Sequence, residues 1–205
     1  MLKRASLVLS ILILTALAAA QDQDYGRFDI SVAAAAGLSK QSTGNSVTLH
    51  PTQGWGALVS GRVRFGSRSA VEFDYSRVRN TQKFDAPPFF YNFNTSVREY
   101  SGVYVYTLFK TEKWEPFLLG GLGAISFYPK ITYLNGVQTL YTSVNQRELA
   151  YIYGGGADYH AWKRVYVRAQ YRGLIYKAPD FQYSNLFTGA HGHLAEPSVG
   201  LAFRF

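Results

Sequence analysis

This sequence predicts an all-β fold, an eight-stranded antiparallel up-and-down transmembrane β-barrel with long loops at one end and short turns at the other. Three observations predict it. The final stretch, Val199 to Phe205, alternates strictly, with Val199, Leu201, Phe203 and Phe205 on one face and Gly200, Ala202 and Arg204 on the other. Alternation of period two is the mark of a strand with one apolar face. Stretches of this kind recur eight times, joined by connections that alternate long and short. Finally, charges of both signs fall on the polar faces of those strands. An apolar row ending on an aromatic residue is a liability in water. It is stable where the apolar face meets lipid and the edge pairs with the first strand.

The chain opens with Lys3 and Arg4, an apolar run from Leu7 to Leu17, and Ala18-Ala19-Ala20. That is the layout of a secretory signal peptide, expected over residues 1–20, which leaves 21–205 as the barrel domain. The run is short for a membrane anchor, and no Cys follows it to be lipidated. No Cys occurs anywhere, so the ladder must hold without disulfides. With 16 Tyr, 14 Phe and 19 Gly, the Gly lying inside apolar stretches, the composition suits a curved, aromatic-rich sheet. The net charge is +8, and the balance stays basic once Lys3 and Arg4 are gone. The cations are scattered rather than clustered, which argues against nucleic acid as a partner and for anionic lipid headgroups.

In order, the expected barrel strands run about 27–37, 54–65, 70–79, 97–109, 116–128, 149–159, 164–176 and 196–205. In the first, Phe28, Ile30, Val32, Ala34 and Ala36 face one way and Asp29 and Ser31 the other. In the second, Trp55, Ala57, Val59, Val63 and Phe65 oppose Ser60, Arg62 and Arg64; in the third, Val71, Phe73 and Tyr75 oppose Glu72, Asp74 and Ser76. Residues 80–94 contain Pro87-Pro88 and read as a loop. The fourth strand is apolar on both faces, so its register stays open. Asn135-Gly136 between two β-prone runs signals a type I′ hairpin and a ribbon protruding past the membrane. In the seventh strand Val165, Val167, Ala169, Tyr171, Gly173 and Ile175 oppose Arg168, Gln170 and Arg172. These lengths match the roughly 9–11 residues a tilted membrane strand needs, and short turns at the periplasmic side with longer outer loops are the habit of outer-membrane barrels.

An eight-stranded barrel is only wide enough for side chains to fill. Arg62, Arg64, Glu72, Asp74, Asp158, Arg168, Arg172, Glu196 and Arg204, with Asp29, are therefore expected to neutralise one another in the lumen. On a soluble barrel they would instead face water. Aromatics near strand ends suit interfacial girdles: Phe65, Phe109, Trp114, Trp162 and Phe205 at the turns, Trp55, Tyr128 and Tyr176 at the loops. The pattern resembles the family of small eight-stranded outer-membrane proteins related to the transmembrane domain of outer-membrane protein A, whose last strand ends in an aromatic residue preceded by alternating apolar ones. Val199, Leu201, Phe203 and Phe205 match that ending. The resemblance covers the whole mature chain; it implies a location in the bacterial outer membrane and recognition of these four residues by the barrel-assembly machinery. No peptidoglycan-binding domain follows the barrel, so wall anchoring does not carry over.

Motifs for chemistry are sparse. His50, His191 and His193 fall in loops that barrel closure brings together, but no carboxylate or Cys joins them at ligand spacing. His160 lies at the opposite end. No G-x-S-x-G occurs. Gly121-Leu122-Gly123 precedes no helix and reads as strand packing, and Asn94-Thr95-Ser96 as a chance glycosylation match. No catalytic, cofactor or metal residue is assigned and no cofactor is expected. The second loop crowds Phe84, Phe89, Phe90, Tyr91 and Phe93 around Pro87-Pro88, of which Phe89, Phe90, Tyr91 and Phe93 are candidates for surface contact. The expected protein is a monomer in outer-membrane lipid, non-enzymatic, with a structural or adhesive role through its loops and an unidentified surface ligand. The alternatives are a small solute channel or carrier, and an outer-leaflet lipid-modifying enzyme. A soluble lipocalin-like carrier is disfavoured, because Gly54-Trp55-Gly56 has the wrong spacing for a Gly-x-Trp opening.

Overall fold

A computed structural model describes residues 26–139 and 144–205; the expected signal peptide lies outside these residues. The strands are β1 (Phe28–Ser39), β2 (Ser42–Gly44), β3 (Val47–Pro51), β4 (Gly54–Arg64), β5 (Ser69–Ala86), β6 (Phe89–Thr107), β7 (Trp114–Leu134), β8 (Val137–Thr139), β9 (Gln146–Trp162), β10 (Val165–Lys177) and β11 (His191–Arg204). Eight of them, β1, β4, β5, β6, β7, β9, β10 and β11, pair antiparallel with their neighbours in chain order. β11 returns to β1, with Asp29 opposite Arg204 and Ser39 opposite Leu194, and closes the barrel. At the seam the Phe28 N–H donates to the Phe205 carbonyl (3.0 Å) and the Phe205 N–H donates back to the Phe28 carbonyl (2.8 Å). Closure leaves the barrel wall no unpaired edge.

The pleat sorts the side chains as the alternation dictates. Ile30, Val32, Val59, Phe73, Tyr104, Leu118, Leu122, Tyr151, Val199, Leu201 and Phe203 lie on the outside, with Leu201 60% exposed. Asp29, Arg62, Glu72, Asp158, Arg168, Arg172 and Glu196 are buried inside, each 2% exposed or less. In water this would be an inverted protein; in lipid it is the low-energy arrangement. β6, whose register the sequence left open, presents Val97, Glu99, Ser101, Val103 and Val105 to the interior and Tyr100, Tyr104 and Tyr106 to the outside. Of its inward valines, Val103 sits opposite Gly121 of β7. A Cβ on Gly121 would lie 2.2 Å from the Gly102 carbonyl oxygen and 2.7 Å from the Val103 Cα, so no larger residue fits the tightly curved wall there.

At the loop end several expectations change. Residues 80–94 are not a loop. β5 and β6 run in continuous register from Ser69↔Tyr106 to Ala86↔Phe89, and Pro87-Pro88, joined by a cis bond, fill the turn between them. Proline weakens a ladder because it cannot donate, but at a turn no donor is needed. The first long connection likewise contains the β2–β3 hairpin, and β3 adds onto β5. Asn135 and Gly136 have φ of 48° and 83°, the two positive values a type I′ turn requires. The ribbon they head is not free-standing: β7 pairs with β6 up to Tyr91↔Leu134 and with β8 on its other edge. β7 contains one bulge: Asn94 faces Ile131 while Thr95 faces Pro129, which leaves Lys130 as the extra residue. The bulge absorbs a proline and reverses the pleat, so that Thr132 is buried where Phe127 is buried below it.

Candidate functional sites: a plugged lumen and an outer sheet

Two ionic clusters fill the barrel. The one toward the turn end joins Arg62, Arg64, Arg168 and Arg204 to Asp29, Glu72, Glu115 and Asp158. Arg168 is its hub. Its Nε donates to Asp158 Oδ1 (2.7 Å), its Nη1 to Glu72 Oε2 (3.0 Å) and its Nη2 to Asp29 Oδ1 (3.1 Å). Arg62 Nε donates to Glu72 (2.7 Å), and Arg64 Nη1 lies 2.9 Å from Asp29. Arg204 makes a fork–fork pair with Glu115, both contacts 2.9 Å. The Arg62 guanidinium also lies 4.4 Å from the centre of the Phe117 ring, which gives the cation an apolar wall it can tolerate. This cluster is balanced, four guanidinium groups against four carboxylates.

The second cluster is not balanced. Arg172, on β10, pairs with Glu99 on β6, with Glu196 on β11 (3.0 Å) and with Asp74 on β5 (3.3 Å). One guanidinium serves three carboxylates. Ser76 donates to Glu196 (2.9 Å), and Ser101 accepts from Arg172 Nη2 (2.9 Å) while donating to Asp74 (3.4 Å), so neutral hydroxyls supplement the single cation. Glu99 and Glu115 were missed by the sequence reading. Glu99 sits on the strand with two apolar faces; the Tyr100, Tyr104, Tyr106 series on the opposite face was the signal that could have placed it. Glu115 lies at the start of β7, one residue ahead of the strand start expected at Pro116.

Above the ions the barrel is capped by an aromatic core. Phe84, Phe93, Phe127 and Phe181 are buried side by side, with Phe93–Phe181 centroids 4.6 Å apart and Phe84–Phe93 at 5.6 Å, edge to face. Phe181 comes from the connection between β10 and β11, held by its own N–H and that of Asp180 donating to Gln146 Oε1 (2.7 and 3.0 Å). Tyr91 and Phe93 therefore do not belong to an exposed contact surface, because the pleat turns them inward to this core. Tyr176 is buried beneath it as well, and is not a girdle residue. Phe89 and Phe90 stay exposed at the hairpin tip, at 44% and 52%. His193 bonds Tyr153 outside the barrel (2.7 Å), and among the described residues no group of His, Asp, Glu or Cys converges at metal-ligand spacing.

A closed antiparallel barrel with a lipid-facing exterior, an ionic interior and aromatic residues at its rims defines a small outer-membrane barrel. The chain belongs to the outer membrane protein beta-barrel domain family, whose model matches residues 6–205. No curated protein matches it. Among solved structures it is similar to Neisserial surface protein A (17% identity, TM-score 0.58, covering 89% of this chain and 100% of that one). It is also similar to OprG of Pseudomonas aeruginosa (10%, TM-score 0.61, 89% and 97%) and to Ail, the attachment invasion locus protein of Yersinia pestis (13%, TM-score 0.54, 89% and 100%). The likeness to these structures is one of fold; the family places the protein in the bacterial outer membrane.

Proposed function

We propose that this is a non-enzymatic surface-contact protein of the outer membrane, working through the sheet that β2, β3, β5, β6, β7 and β8 raise beyond the barrel. The observation that carries this reading is the pairing of a sealed interior with an exposed apolar tip. Ion pairs and packed rings fill the path a solute would take, which disfavours a channel or carrier. Phe89, Phe90 and Val137 are presented to solvent on a rigid, fully laddered support. Rigid aromatic anchors are what protein contacts use, because little entropy is lost on docking. Ail, an attachment protein by its name, shares the fold, which supports the reading without identifying a ligand. Cells displaying a Phe89→Ser/Phe90→Ser double variant should adhere to epithelial monolayers about tenfold less than cells displaying the parent. Heat-modifiable gel mobility should stay unchanged. Undiminished adhesion would remove the tip as the contact site.

The last strand carries a second, separate role in this proposal. Val199, Leu201, Phe203 and Phe205 serve as the assembly signal read by the barrel-assembly machinery. Phe205 is half-buried at the seam, its ring contacts being with Phe28 (6.3 Å) and Phe203 (6.1 Å) rather than with the core. Phe205→Ser should therefore lower the amount of folded barrel in the outer-membrane fraction of cells while leaving detergent refolding of the purified chain intact. Equal loss in both assays would mean the residue matters only for stability.

A further inference from the structure

The exterior carries a row of cations that the fold itself does not explain. Arg77 on β5 stands directly opposite Arg98 on β6; Arg98 is opposite Ser126 on β7, and Ser126 is opposite Arg147 on β9. Three arginines thus lie in one line across four adjacent strands, over about 15 Å at the usual strand spacing. All three point outward, since Ser76, Glu99 and Ala150 on the same strands point in. Like charges facing each other across a ladder destabilise it. Among the described residues no carboxylate pairs with any of the three, although every arginine of the lumen has one.

The three side chains are also held in place. Arg77 Nε donates to Ser96 Oγ and Arg147 Nε to Ser126 Oγ, both at 3.3 Å. The Arg98 guanidinium stacks over Tyr128, 4.5 Å from the ring centre, and its Nε is buried without a hydrogen-bond partner. Their terminal nitrogens have no acceptor among the described residues. One pleat repeat toward the membrane lie Tyr75 and Tyr100, rings 5.0 Å apart, and the exposed Leu149. One repeat away from it lies Arg79 and, further out, the bulge residue Lys130; both line a polar cavity of about 340 Å³ with Asn80, Thr81 and Asn94. Aromatic residues followed outward by cations mark the depth of the lipid headgroups. The opposite wall lacks such a row of arginines: its outward positions carry Ala34, Ala36, Ala169, Tyr171 and Pro197, and its outward Lys177 stands well above Tyr171 on β10.

We propose that Arg77, Arg98 and Arg147, with Arg79 and Lys130 above them, form a docking site for the phosphorylated headgroup of an outer-leaflet glycolipid. Phosphate matches the planar fork of arginine in geometry and charge. The level of the row, immediately above the hydrocarbon, selects a ligand whose acyl chains run down the β5–β9 wall over a soluble anionic glycan. The bound lipid neutralises the facing arginines, which makes it a structural partner of the barrel on one side only. The site is separate from the hairpin tip, so the two proposals stand or fall independently.

The test uses the full barrel reconstituted in phosphatidylcholine nanodiscs containing lipid A, with retained lipid counted by native mass spectrometry. The parent should retain lipid A; an Arg77→Gln/Arg98→Gln/Arg147→Gln variant should retain about tenfold less, and the Phe89→Ser/Phe90→Ser variant as much as the parent. Dephosphorylated lipid A should not be retained. Arg98→Lys, which keeps the charge and the fold but loses the fork, should fall between and provides the answer if the triple variant does not fold. Equal retention by parent and variants overturns the proposal. So does retention that survives phosphate removal, or equal retention of phosphatidylglycerol, which would reduce the row to diffuse attraction for an anionic surface.

Discussion

Replacing Arg172 with methionine is expected to be among the most damaging single changes in this barrel. The side chain is fully buried, and its loss strands Asp74, Glu99 and Glu196 together in the lumen. Removing one partner of a buried pair costs about 3–5 kcal/mol, and here three carboxylates lose the same cation. Urea unfolding in lipid, followed by gel mobility, should show a loss at or above the top of that range. The physical cause can be separated from a packing defect. Adding Asp74→Asn, Glu99→Gln and Glu196→Gln to Arg172→Met removes the uncompensated charge at nearly constant volume, and stability should recover by more than half. Absence of recovery would mean that shape, not charge, is what Arg172 supplies. Arg168→Met should cost less, although Arg168 makes as many contacts, because Arg62, Arg64 and Arg204 remain beside its carboxylates.

The second large effect is expected at Gly154, which lies opposite Arg172 in the ladder. A Cβ there would stand 2.1 Å from the Tyr171 carbonyl oxygen and 3.1 Å from the Arg172 Cα. These are backbone atoms, so no rotamer change relieves the contact. Gly154→Val must push β9 and β10 apart at the strand that carries Arg172, and should cost about 3 kcal/mol, the upper part of the overpacking range. Gly120, on the lipid side of β7, is the control: its nearest neighbour would be 3.8 Å away, and Gly120→Val should be close to neutral by the same unfolding measurement. A neutral Gly154→Val would contradict the steric reading of the curved wall.

Much of this was legible in the residues alone. Strict alternation through Val199 to Phe205, and through β1 and β10, fixes which side chains face lipid, because successive side chains on any strand point to opposite faces whatever the strand pairs with. The Asn135-Gly136 turn was legible for the same reason, its signal being wholly local. Where local signals competed, the reading failed. Both faces of β6 are apolar in the sequence, so its register stayed open, and Glu99 was lost with it. Pro87-Pro88 suggested a loop, because proline breaks ladders, but it sits in the turn of a hairpin whose strands extend far past the membrane. Phe89, Phe90, Tyr91 and Phe93 read as one aromatic cluster in the sequence, but Phe89 stands at the hairpin tip, beyond the core that buries Tyr91 and Phe93 on the same face.

By itself, then, the sequence determined an exported eight-stranded barrel, apolar outside and ionic within, since the period-two rule needs no partner strand to operate. Only closure decided which charges meet. Arg172 and Glu99 stand on strands that are not neighbours and approach across the lumen from 73 residues apart, and Arg77, Arg98 and Arg147 fall into line through the registers of three separate strand pairs. Register and curvature are properties of the assembled sheet, set by glycines, bulges and the seam between β1 and β11, and no local pattern encodes where two distant side chains will come to rest.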